Sequence, residues 1–296
     1  MTMYVGNNGS IIVAPESTYG TDPGSGYDTL FGVSSTLQQA SNLLTPAHLT
    51  ISPLATNDYA PTFVDGEIVV NWSEQASVMD ELLSSFFTVT MNHYTMTGAP
   101  ETTSISAEVA FGADLAYIYT GLVATSFGME ISPYEYPTVT MGFIGQKGVK
   151  ETSPTQGTAS VAYLAAPSEF TTVSVGGTTL GAKNVSINCE RQYTGGDRAV
   201  VGSSYLSQPV ESGVRSISVS LTVDLSDDTG FISTAPLDSY LAGTSLGEII
   251  IGSGHSSIAL ANCRMTGDMP SLGDGLTEFP ITATATGISL APLLSA

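Results

Sequence analysis

The feature that most constrains this chain is an order of elements written twice. Ile217–Asp224 (ISVSLTVD) resembles Glu67–Glu74 (EIVVNWSE), and Gly247–Ile251 (GEIII) resembles Ser106–Ala110 (SAEVA). Phe279–Gly287 (FPITATATG) resembles Tyr136–Gly145 (YPTVTMGFIG). Ile258–Leu272 matches Ile118–Ser132 in position and character, and Leu237–Leu241 matches Met79–Leu83. Identity is weak, but the order is constant at an offset of roughly 140–155 residues, the mark of a duplicated folding unit. The expected division is an N-terminal arm at 1–30, a first domain at 31–150 and a second at 151–296.

Each copy reads as strands. Ser104–Phe111 alternates apolar and polar, as a half-buried strand does. Leu115–Ile131 is a longer extended run in which Gly121 and Gly128 suit bulges. Pro133–Pro137 is a turn, and Thr138–Ile144 closes the hairpin. Leu49–Leu54 and Glu67–Trp72 are further strands, with Ala55–Gly66 as a polar loop between them. In the second copy Ala182–Cys189 is the counterpart of Leu49–Leu54, and Arg191–Gly213 the longer counterpart of the loop. Thr171–Leu180 is a hairpin around Gly176-Gly177, a turn that needs positive φ. The clearest helix is Glu74–Phe87, capped by Ser73, with Glu74 in its first turn and Val78, Leu82, Leu83, Phe86 and Phe87 on one apolar face. The turn-rich first thirty residues read as an extended arm.

Charge is sparse and one-sided: seven basic residues face 27 acidic ones, a formal net charge of −20. No Lys or Arg precedes Lys147, while fourteen carboxylates lie in that stretch. Gripping nucleic acid takes Lys and Arg, so such a surface does not hold phosphates. It serves solubility, or a wall that stays near DNA without sticking. Cys189 and Cys263 lack metal spacing and read as buried small hydrophobes. His48, His93 and His255 fall in no ligand pattern, Gly252–Ser256 does not fit a nucleophile elbow, and the spacing of Asp224, Asp227 and Asp228 is not that of a calcium loop. No catalytic, cofactor-binding or metal site is therefore expected. Met1-Thr2-Met3-Tyr4 has no signal-peptide character, and no apolar run is long enough to span a membrane.

Glu16-Ser17-Thr18-Tyr19-Gly20-Thr21-Asp22-Pro23 resembles the E-x-T/A-Y-G-T-x-P opening of phage tail tube proteins. The order strand, loop, strand, helix, strands is similar to theirs, as is the long hairpin with bends at Gly121 and Gly145. The resemblance implies an all-β chain with a minor helix, built as two β-sandwich domains that close into a ring β-barrel with neighbouring subunits. It implies a non-enzymatic virion protein of the phage tail, made in the host cytoplasm, whose stacked rings conduct DNA into the host cell without binding it specifically. Partners are then copies of itself and other tail proteins. Two domains per chain favour a trimer with six domains per ring, and a hexamer is the runner-up. Candidate lumen-facing carboxylates are Glu67, Glu108, Glu130 and Glu248, and candidate inter-ring contacts are Asn57, Asp58, Tyr59, Arg191, Tyr193 and Arg198. The alternatives are a receptor- or glycan-binding tail fibre or adhesin domain and, behind it, a β-sandwich hydrolase.

Overall fold

A computed structural model describes residues 3–4, 10–30, 32–43, 59–72, 76–90, 93–96, 103–111, 115–155, 170, 172–193, 205, 207–211, 215–224, 244–252, 256–266 and 278–292. The fold is nearly all β, with little helix. The first half holds β1 (Met3–Tyr4), β2 (Ser10–Pro15), β3 (Asp28–Leu30), β4 (Gly32–Ser35), β5 (Gln38–Leu43) and β6 (Tyr59–Asn71). After α1 (Ala76–Ser84) come β7 (Thr88–Thr90), β8 (His93–Thr95), β9 (Ile105–Ala110), β10 (Ala116–Ser132), β11 (Glu135–Gly145) and β12 (Lys147–Glu151). The second half holds β13 (Thr172–Val175), β14 (Thr178–Leu180), β15 (Ala182–Glu190), β16 (Ser216–Asp224), β17 (Gly247–Gly252), β18 (Ser256–Met265), β19 (Glu278–Thr284) and β20 (Gly287–Pro292).

One front sheet crosses both halves. Its fully paired strands run β6-β11-β10-β15-β16-β19, all antiparallel. Alternation sends one side inward: Val139, Met141, Phe127, Met129, Ile187, Val219 and Ile281 are all buried in a common core. Against that side pack two back sheets, β3-β2-β9-β10-β12 and β14-β13-β17-β18-β20-β8-β7.

The pairing scheme is the same in each half. β10 lies between β9 and β12 in its first part, then leaves for the front sheet and pairs β11. β18 lies between β17 and β20, then reaches β19 with Arg264 and Met265. β11 pairs β6 as β19 pairs β16. The crossing residue is left-handed in both copies: Gly121 at φ 69° and Asn262 at φ 51°. Asn tolerates that region better than most side chains, so the second copy turns without glycine.

Several expectations need correction. Part of the expected arm is core: Ile11, Val13 and Leu30 join the main cluster, and Ile12, Ala14 and Tyr27 form a second one, while most of Pro15–Gly26 is exposed. Its turn residues masked the short apolar run SIIVAP, which pairs β9. The expected loop Ala55–Gly66 is strand from Tyr59 on, and Val64 is fully buried. The helix ends earlier than expected, at Ser84, with Phe86 and Phe87 after it; Phe86 stacks on Phe127 and Phe87 meets that ring edge-on. Gly121 sits at a bulge, but Gly128 pairs regularly on both sides. β12 was not anticipated. The described strands beside β6 on the β15-like side are β4 and β5, upstream of the expected Leu49–Leu54. Leu49–Leu54, Ser73, Glu74 and the helix expected at Leu237–Leu241 lie outside the described residues. The hairpin at Gly176-Gly177 forms with φ of 57° and 85°, and both cysteines are free and buried.

Candidate functional surface

The outward side of the front sheet is a broad polar face. Cross-strand partners share a side, so the registers assign its members. Glu67 opposes Gly142, which opposes Ser126, which opposes Glu190 and through it Ser216. Two rows further along, Glu130 lies between Thr138 and Ser186, Ser186 opposes Ser220, and Ser220 opposes Thr282. The side chains are small hydroxyls and amides, glycines and carboxylates. Among the described residues Asp65, Glu67, Glu130, Glu190 and Glu278 are exposed here, against Lys183 and Arg264. Lys183 is already paired with Glu278, Nζ to Oε1 at 2.7 Å. A hollow of about 290 Å³ opens on this side over the ends of β10, β15, β16 and β19, lined by Glu130, Asn184, Ser186, Thr222 and Thr282 among others.

The expected lumen carboxylates separate. Glu67 and Glu130 come together on this face. Glu108 is 1 % exposed and accepts a hydrogen bond from the Thr155 amide (2.8 Å), so it is enclosed within the subunit and presents no carboxylate to solvent. A strand buried on both sides defeats an alternation argument, and every residue of β9 is buried. Glu248 is exposed, but on the outward side of a back sheet beside Ile250. Asp65, Glu190 and Glu278 were missed, although Glu190 is in phase with exposed Asn184, Ser186 and Asn188.

Of the expected inter-ring contacts, Arg191 is an internal residue. It is 5 % exposed, its guanidinium lies 4.7 Å from the Phe86 ring centroid, and its amide donates to Thr125 O. Tyr193 is half-buried; its hydroxyl donates to Ala124 O (3.1 Å), and its backbone bridges Glu211. Tyr59 opens β6. Asn57, Asp58 and Arg198 lie outside the described residues.

The opening phrase also acquires a physical role. The Glu16 carboxylate accepts from Gly20 N (2.8 Å) and Ser104 Oγ (2.7 Å) on Oε2, and from Ser106 Oγ (2.7 Å) and Gly121 N (2.7 Å) on Oε1. It ties the phrase to β9 and to the crossing point of β10. Gly20 and Gly121 both have positive φ, and a Cβ at either would strike Gln146, at 1.9 and 2.8 Å. Conformation calls for glycine at both positions, and at Gly121 so does space, since the Gln146 Cβ and the Tyr19 ring crowd it.

No group of three or more His, Cys, Asp or Glu residues among those described is arranged to hold a metal, and no described helix is long and apolar enough to cross a membrane. What the fold presents is an antiparallel β-protein with a broad, acidic sheet face. A family model described as phage tail tube protein matches residues 6–287, and the chain belongs to that family. Its role is that of a structural component of the phage tail tube. A search of curated proteins found no match.

Proposed function

We propose that three copies close into a ring whose inner wall is the polar face of the front sheet, and that stacked rings conduct DNA into the host cell. The observation that carries this is the joint between the halves. Within the chain, β10 pairs β15 from Ser126 to Ile131, welding the first copy of the unit to the second. The counterparts of those two strands are β18 and the β4–β5 pair. Among the described residues, β18 has no strand beyond Arg264 and Met265 on the side away from β19, and β5 has none on the side away from β6, whereas β4 carries the two-residue β1 there. Repeating the internal joint between neighbours pairs β18 of one copy with β5 of the next. Closure removes sheet edges that would otherwise invite uncontrolled pairing.

Strand number supports three copies. Counting β5 and β18, which form the joint between neighbours, each chain brings eight front strands; three chains supply 24, about 48 Å between opposite backbones at ~4.8 Å spacing and ~40° tilt. Six chains would double that to about 96 Å. The two domains are the repeated units on either side of the joint. Against the glycan-binding alternative, the lone Trp72 is 1 % exposed and cannot stack on a sugar. Native mass spectrometry of isolated rings tests the proposal. Three chains are expected, six would overturn the stoichiometry, and a monomer at every concentration would overturn the ring.

A further inference from the structure

The tip of the β10–β11 hairpin carries an aromatic pair that its own subunit leaves in solvent. The two-residue loop Pro133-Tyr134 joins Ser132 to Glu135; Tyr134 is 94 % exposed and Tyr136 54 %. Glu135, between them, is also exposed. β11 then runs about 34 Å to Gly145, taking ten steps of ~3.4 Å. At that opposite pole Lys147 lies 5.6 Å from the centroid of the Tyr205 ring, which is 39 % exposed. Val210, 63 % exposed, belongs to the same pole, because its neighbour Glu211 bridges Tyr193 and Tyr193 reaches Ala124. One end of the subunit therefore shows two tyrosines around a carboxylate, and the other shows a tyrosine and a valine beside an ammonium.

We propose that the hairpin tip is a docking knob for a second copy of this chain in the next ring, seating on its Lys147–Tyr205–Val210 pole. This rests on the ring reading above. The tyrosine rings cover Val210 and Tyr205, and Glu135 meets Lys147. Surfaces on opposite poles make a head-to-tail contact, which does not close on itself and propagates as a filament. Aromatic anchors with a polar end suit such a surface, since each buries a large area at low rotamer cost.

Electron microscopy of purified Tyr134→Ser/Tyr136→Ser protein tests the knob. Loss of tubes with rings retained, and thermal unfolding like that of the unaltered chain, is the expected result. Tubes of ordinary length would overturn the proposal. Glu135→Lys and Lys147→Glu should each shorten tubes, and the two combined should restore them; absence of that restoration would overturn the Glu135–Lys147 contact. If the unaltered chain forms no rings, the ring reading itself falls, and the knob falls with it.

Discussion

The Glu16 carboxylate satisfies two backbone amides and two hydroxyls, and its partners in β9 and β10 lie 88 to 105 positions away. Hydrogen bonds to an ionised acceptor are worth more than neutral ones, and stranding several buried donors is costly. Glu16→Ala should therefore lower stability by about 2–4 kcal/mol in urea unfolding. Glu16→Gln should fall between, because its NH2 would face N–H and O–H donors. Burial also governs the two thiols: it pushes Cys189 up to about 12 and Cys263 up to about 11. Neither should be alkylated at neutral pH in the folded chain, and both should react at once in denaturant; reaction of either without unfolding would contradict their enclosure. The opening phrase could be seen in the sequence as a family mark, but its cause could not, since hydrogen-bond partners that distant leave no local pattern.

At the level of elements, β3, α1 and β8 bring Asp28, Asp80 and Glu81 together, with the Tyr94 hydroxyl donating to Asp80 (2.6 Å). Asp28 titrates above its ordinary value, first through burial and then through Asp80. Glu81 does so for the same reasons, with Asp28 adding to them. A raised carboxyl favours the folded state when protonated, so this contribution is present at low pH and lost as pH rises through the raised value. Asp28→Asn should thus raise the melting temperature near pH 7, with the gain shrinking toward about pH 4 as Asp28 of the unaltered chain becomes neutral. A gain independent of pH would rule out this electrostatic cause. Elements with one buried side were legible: β15, β16 and β19 alternate as strands must, and Gly176-Gly177 announced its hairpin. β9, buried on both sides, and β2, enclosed between turn-rich segments, were not legible as to face, because periodicity identifies a side only when the other side is wet.

For the whole molecule, the proposed ring would make the acidic face a wall that governs what passes it. Phosphate is repelled within about 8 Å at physiological salt and hardly beyond. Replacing Glu67, Glu130 and Glu190 by Lys should leave the front sheet intact, because all three side chains are exposed. Tubes of that variant should retain duplex DNA at low salt and release it as salt rises; passage unchanged at low salt would exclude a role for these carboxylates. The repeated order of elements was readable because order survives where identity fades. The seam between the copies was not, because β10 and β15 meet through backbone pairing, to which side-chain patterns are nearly blind.

That seam has a kinetic consequence. In a ring of three duplicated chains, every second joint forms when a chain folds and therefore does not depend on protein concentration. Tethering converts the encounter of β10 with β15 into a local event at an effective concentration of roughly millimolar order or above. Only the alternate joints are bimolecular. Ring formation should then show a lower reaction order, and a lower threshold concentration, than assembly from six separate single units.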